Sequence, residues 1–197
     1  DQLLGLHEGV RFLTTSREPR GLGGELTLRL AGLLAPDSLN VSNVDDLRQF
    51  PATRLFLEAA TAVQEVDTRS ARAIAKVCQL VGGMPLGIEL AAGLTDLLSP
   101  IDLLDRIETD IRILTSSRRD LPSRQRTLEA VVSSSLDRLT EAELDVLRAA
   151  AVCRGSFDLT ALERISEPQD APNTLIMFNR IYSASLAQVV ESQGAKR

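Results

Sequence analysis

The stretch from residue 69 to residue 98 constrains this chain more than any other. Ile74, Val77, Cys78 and Val81 recur at i, i+3, i+4 and i+7, which predicts an amphipathic helix over 69–81. Gly82-Gly83 stops that helix. Met84 then leads into Pro85, and a missing N–H costs nothing at the first position of a new helix. Residues 86–98 (LGIELAAGLTDLL) are apolar nearly all round, with Glu89 most simply their one wet position. A helix of that kind has to be covered on every side, so the chain must build a bundle around it. Its 197 residues are enough for one large domain or two small ones with a real core.

The rest of the chain reads as helices joined by short breaks. Asp46–Ala62 is expected to be helical, with Pro51 marking a break or a first turn. Pro100–Glu108 is another short helix. Residues 116–126 (SSRRDLPSRQR) form a polar, Pro-containing break and the best domain boundary. Leu128–Leu139 is expected to be helical, with Leu128, Val131, Val132, Leu136 and Leu139 on one stripe. Thr140-x-x-Glu143 is a capping box for a helix running to about Val152, and Thr160-x-x-Glu163 reads as a second box after a turn at Gly155. Residues 174–183 look helical.

Strand signals are few. Residues 10–16 (VRFLTTS), ahead of Pro19, read as a buried strand, and Glu25–Leu30 (ELTLRL) alternates weakly like a second one. Leu186–Glu191 (LAQVVE) reads as a terminal strand. It ends at Gln193-Gly194, and the chain is expected to lack the returning partner its edges need.

Several chemistries are excluded by residue type. No phosphate-binding loop G-x-x-x-x-G-K-[ST] occurs. Lys76 and Lys196 are the only lysines among 22 basic residues, and each is followed by a residue that cannot ligate the metal ion, Val77 and Arg197. His7 is the only histidine, and with two distant cysteines no metal site is credible. Ser133–Ser135 has no histidine near it in sequence and reads as a small-residue helix face rather than a nucleophile. Gly21-x-Gly23-Gly24 lacks the flanking strand and helix of a dinucleotide fingerprint. A net charge of −5 argues against a generic polyanion binder. Arg118, Arg119, Arg124 and Arg126 could touch phosphate, although a solvated linker is the better reading. No apolar run approaches the ~20 residues of a membrane span. The first residues have neither the basic start nor the apolar core of a signal peptide. Cys78 and Cys153 suggest buried free thiols, so the cytoplasm is the expected location.

Two runs, Val10–Pro19 (VRFLTTSREP) and Gly82–Ala92 (GGMPLGIELAA), resemble in order and separation the sensor and GxPL segments of STAND-type signal-transduction NTPases. This is the NB-ARC-like ATPase module of large bacterial transcriptional regulators. Pro51–Ala60 (PATRLFLEAA) resembles the leading helix of the family's helical lid. Arg124–Leu139 (RQRTLEAVVSSSLDRL) resembles the segment entering its winged-helix domain, with serines where an aromatic is often found. Val152–Leu162 and Ala184–Glu191 resemble later parts of that domain. The resemblance implies a mainly α fold with a few short strands. Residues 1–34 would be the tail of a P-loop α/β domain, 35–115 the helical lid, and 123–197 a partial winged-helix-like domain with an incomplete wing.

By position in the family's motifs, Arg17 is implied as the sensor of the terminal phosphate of ATP, with the hydroxyls of Thr14 and Thr15 beside it. A guanidinium suits that role because it stays charged and offers paired donors. Read without the resemblance, Arg17 is a surface arginine beside Glu18. Pro85, flanked by Gly83 and Leu86, is implied as the wall against the adenosine, and by itself it is adequate as a helix start. ATP/ADP with Mg is the implied cofactor of the intact module. The implied partners are a phosphate-loop region preceding this chain and effector or sensor domains, so hydrolysis by this chain alone is not expected. The first expectation is therefore a regulatory fragment of an ATPase switch. The alternative is a nucleotide-independent helical module that binds a partner protein. Direct DNA contact ranks last, because residues 174–184 offer Arg180 alone.

Overall fold

The computed structural model describes residues 12–16, 19, 21–61, 66–115, 127–153, 155–166, 171–189, 191–192 and 195–196. These are mainly helical and divide into two compact units. One unit is Arg29–Ser134. The other takes Ser135–Arg197 together with the chain up to Leu28.

In the first unit, α1 (Val44–Arg48), α2 (Pro51–Ala59), α3 (Thr68–Leu80), α4 (Pro85–Gly93) and α5 (Pro100–Thr109) enclose one core, with α3 packed on α5 and α2 on α4. Phe56, Ile74, Val77, Ile88, Leu103 and Leu114 are fully buried in it. Local chemistry sets most of the helix ends. Asn43 accepts from the amides of Asp45 and Asp46 to start α1. Asp67 accepts from Ser70 N at 2.7 Å to start α3, and Ser99 accepts from Asp102 N to start α5 ahead of Pro100. The buried Thr53 hydroxyl donates to the Leu47 carbonyl and ties the end of α1 to α2.

The all-round burial expected for 86–98 holds only as far as Ala92. Helix α4 ends at Gly93, a short 3-10 turn follows over Leu94–Asp96, and Leu97 is 83% exposed. Glu89 is exposed, as the sequence indicated. The polar break at 116–126 lies outside the described residues. The chain on its two sides meets, with Thr115 and Thr127 forming an antiparallel bridge and Leu128 N donating to Leu114 O at 3.2 Å. That pairing brings the start of α6 (Leu128–Leu136) into this core. Of the stripe expected on this helix only Leu128 is buried, and Val132 is exposed.

In the second unit, α7 (Glu141–Ala151), α8 (Leu159–Ile165) and α9 (Ala171–Ser183) surround a small core of Val146, Ala150, Leu162 and Ile181. Phe157 and Phe178 meet edge to face at 5.8 Å beside it. The capping box at Thr140 and Glu143 is present in both directions. The second box is not. Asp158 takes that role, accepting from Ala161 N at 2.7 Å, so Thr160 falls inside the first turn of α8. Gly155 does sit in the left-handed region expected of a turn.

The strand expectations need correction. Residues 12–16 and Glu25–Leu30 form no ladder among the described residues, and Leu13 and Leu26 are almost wholly exposed. A strand is defined by a ladder of backbone bonds to a neighbouring strand, and no such ladder includes these runs among the described residues; residues 10 and 11 of the first run lie outside them. Residues 186–189 are irregular. Among the described residues, β1 (Glu191–Ser192) is antiparallel to β2 (Ala195–Lys196), so a returning partner does exist. Among the described residues, no helix is long and apolar enough to cross a membrane.

Candidate functional site

The turn between α3 and α4 positions three of the residues singled out from sequence. Helix α3 closes with a Schellman arrangement. Gly83 N donates to Cys78 O at 3.0 Å, and Gly82 N donates to Gln79 O at 2.9 Å. Both glycines have positive φ, 62° and 66°, which explains why two are needed in succession. Gly83 is buried against a neighbouring stretch of backbone. Leu33 N donates to Gly83 O at 2.8 Å, and a Cβ on Gly83 would collide with the Leu33 backbone. Pro85 then sits at the first position of α4 with its ring exposed, while Met84 and Leu86 on either side are half-buried.

The result is an apolar edge with no side-chain cap on the helix start and no proline N–H. Pro85 itself offers an exposed apolar ring face there and has no N–H of its own to satisfy. Gly83, Pro85 and Leu86 are thus brought together. Thr14 and Thr15 are exposed in irregular chain of the other unit, not at the end of a strand. Arg17 lies outside the described residues.

The residues missed by sequence reading are those holding this turn from behind. Gly32 is one: a Cβ there would strike the carbonyl of Gly82. Gln79 is another, its side chain donating to Pro36 O at 2.8 Å. Nothing in hydrophobic periodicity marks either, because both act through backbone distant in sequence.

A polar pair was also missed in the second unit. The buried Glu143 uses both carboxylate oxygens. Oε2 accepts from Thr140 N at 2.8 Å, and Oε1 pairs with Arg180 Nε at 2.8 Å. The capping bonds to Thr140 hold this carboxyl below the usual carboxylate range against the opposing effect of burial, with Arg180 adding to the lowering. Arg180, the one basic residue of α9, is therefore engaged with α7.

Cys78 and Cys153 form no disulfide. Cys78 is fully buried and its thiol is pushed up to about 12 by burial, so it stays neutral. Cys153 is only half-buried, contrary to the expectation that both would be enclosed.

Relatives exist among mycobacterial proteins. The chain is 30% identical over 201 residues to the provisionally named HTH-type transcriptional regulator Rv0890c of Mycobacterium tuberculosis, and equally to its counterpart Mb0914c of Mycobacterium bovis. Those alignments cover 100% of this chain and 21% of each relative. It is also 30% identical over 200 residues to the uncharacterized protein Rv0894 of Mycobacterium tuberculosis, covering 98% of this chain and 48% of that protein. No family model matches the chain, and no solved structure matches it at a significant level. The chain thus spans about a fifth of the length of the named regulators and about half of the shorter relative.

Proposed function

We propose that this chain is the regulatory rear part of a STAND/NB-ARC-like ATPase switch, acting in ATP/ADP-dependent signal transduction toward transcription in the bacterial cytoplasm. The observation that carries the reading is the buried Gly83 turn that presents Pro85, bare and without a donor, at the start of α4. Its surroundings fit the adenosine end of a nucleotide, and Gly83, Pro85 and Leu86 are the residues assigned to hold it. Phosphate sensing is assigned to Arg17, Thr14 and Thr15 by position in the motif. A bound nucleotide would supply differential contacts that bias one packing of the helical unit over another.

Three further observations support the reading. Relatives covering the whole chain are named as transcriptional regulators. The succession of α7, α8, α9 and the paired β1 and β2 supports the winged-helix-like part of the proposal. The exposed Leu26, Leu28 and Leu30 offer apolar surface that the proposal assigns to contact with another segment, taken to carry the phosphate loop and bind Mg.

Isothermal titration with ATP and ADP tests this. Little or no binding is expected for the 197-residue chain. Binding is expected once a phosphate-loop segment from the same reading frame is joined to it, and should weaken in Pro85→Ala of that longer protein. Silence in both chains overturns the proposal.

The second reading is a nucleotide-independent helical module that binds a protein. It is favoured by the exposed Leu175 and Ile176 on α9. Nucleic-acid contact by α9 is disfavoured, since its Arg180 is engaged with Glu143. A salt-sensitive gel shift would reverse that ranking.

A further inference from the structure

Helices α2 and α4 share an awkward start. Each begins with proline at its first position, and neither preceding residue, Phe50 or Met84, supplies a side-chain cap. A helix N-terminus leaves amides that need acceptors from elsewhere. The chain over residues 32–41 meets that need for α2 and bonds to the backbone just ahead of α4 while crossing the same unit. Leu34 O accepts from Ala52 N, the first free amide of α2, at 3.2 Å. One residue earlier, Leu33 N donates to Gly83 O just ahead of α4. Further along, Gln79 Nε2 donates to Pro36 O at 2.8 Å and Arg72 Nε donates to Val41 O at 3.4 Å, both from α3. At the crossing itself the two backbones are too close for side chains, because Gly32 faces the Gly82 carbonyl and Gly83 faces Leu33.

We infer that residues 32–41 are a strap that fixes the start of α4, so that Gly32 and Gly83 are positioning residues for Pro85. Displacing residues 32–34 breaks the Gly83 bond and the α2 cap together, and the Met84–Leu86 edge moves with them. The functional meaning of this coupling rests on the nucleotide reading above, whereas its mechanical content does not.

Three glycine variants separate the causes. Gly32→Ala introduces the clash without a left-handed φ. Gly82→Ala introduces a strained φ into open space, and Gly83→Ala introduces both. Amide hydrogen exchange on the 197-residue chain is the readout, and it needs no nucleotide, so its outcome is independent of the titration. In Gly32→Ala, the amides of Leu33, Ala52 and residues 83–86 that carry backbone bonds should exchange about tenfold faster, while Ile74 and Ile107 in the core keep their rates. In Gly82→Ala, Leu33 and Ala52 should change no more than the core does. Faster exchange at Leu33 with native rates at Ala52 and Met84 would overturn the inference, as would native rates throughout. If Gly32→Ala does not fold, Gln79→Ala carries the same test, since it removes only the bond to Pro36. Acceleration at Leu33 and Ala52 together supports the strap, and native rates at either one sink it.

Discussion

Each of the two units of this chain has an interior built on different physics. The unit Arg29–Ser134 rests on a broad apolar core in which Phe56, Ile74, Ile88 and Leu103 are fully enclosed, and its polar contacts mainly finish helix ends. In Ser135–Arg197 only four described apolar side chains are buried in the cluster, and a capping box continued into an ion pair connects α7 with α9. Apolar burial is non-directional and grows with area, whereas a buried carboxylate with every oxygen occupied fixes one geometry. The first unit should therefore be sensitive to lost volume, and the second to lost hydrogen bonds and to acid.

Phe56→Ala should produce the largest effect, a loss of about 3–5 kcal/mol in the first unit, read by urea denaturation with a probe placed there. A loss under about 1 kcal/mol would mean that this core relaxes around a cavity and that the contrast is weaker than drawn.

Glu143→Ala attacks the other side. Losing the cap and the pairing should cost about 1–3 kcal/mol in the second unit, and Arg180→Ala should cost less, since Thr140 still satisfies one oxygen. Equal costs would place the weight on the ion pair instead of the cap.

The pH dependence has a definite sign. Folding holds the Glu143 carboxyl below its ordinary value, so its contribution is complete above the unfolded value, about 4.3, and is lost as pH falls through the lowered native value. Acid should destabilise the second unit, and Glu143→Gln should flatten that part of the profile. An unchanged acid limb in Glu143→Gln would remove this carboxylate from the account.

The smallest effect is kinetic. A maleimide or disulfide reagent should label Cys153 in the native protein well before Cys78, whose neutral thiol is enclosed. Equal labelling rates would show that the larger core opens as readily as the surface of the smaller unit.

Helix content was legible because its signals are local. The apolar spacing of α3, the Gly-Gly stop, Pro85 and the Thr140–Glu143 box all act within a few residues, and each lies where the sequence indicated. The error at Thr160 has the same local origin. Two potential caps compete within three residues, and Asp158 is the one in extended conformation with its oxygen facing the Ala161 amide. Spatial grouping was legible only for residues that share one turn, as Gly83, Pro85 and Leu86 do. Gly32 and Gln79 carried no signal, because what they do is meet backbone about fifty and forty residues away in the chain.

The amino-acid sequence alone therefore determined that α3, α4 and α7 start or stop where their own caps, breakers and 3.6-residue period place them, since those signals act between neighbours along the chain. Tertiary structure alone decided that Gly83 must stay bare against Leu33, that Arg180 serves Glu143, and that the alternating leucines near residue 28 pair with nothing among the described residues. Each of those outcomes depends on which distant group arrives at contact distance, and chain periodicity carries no record of that.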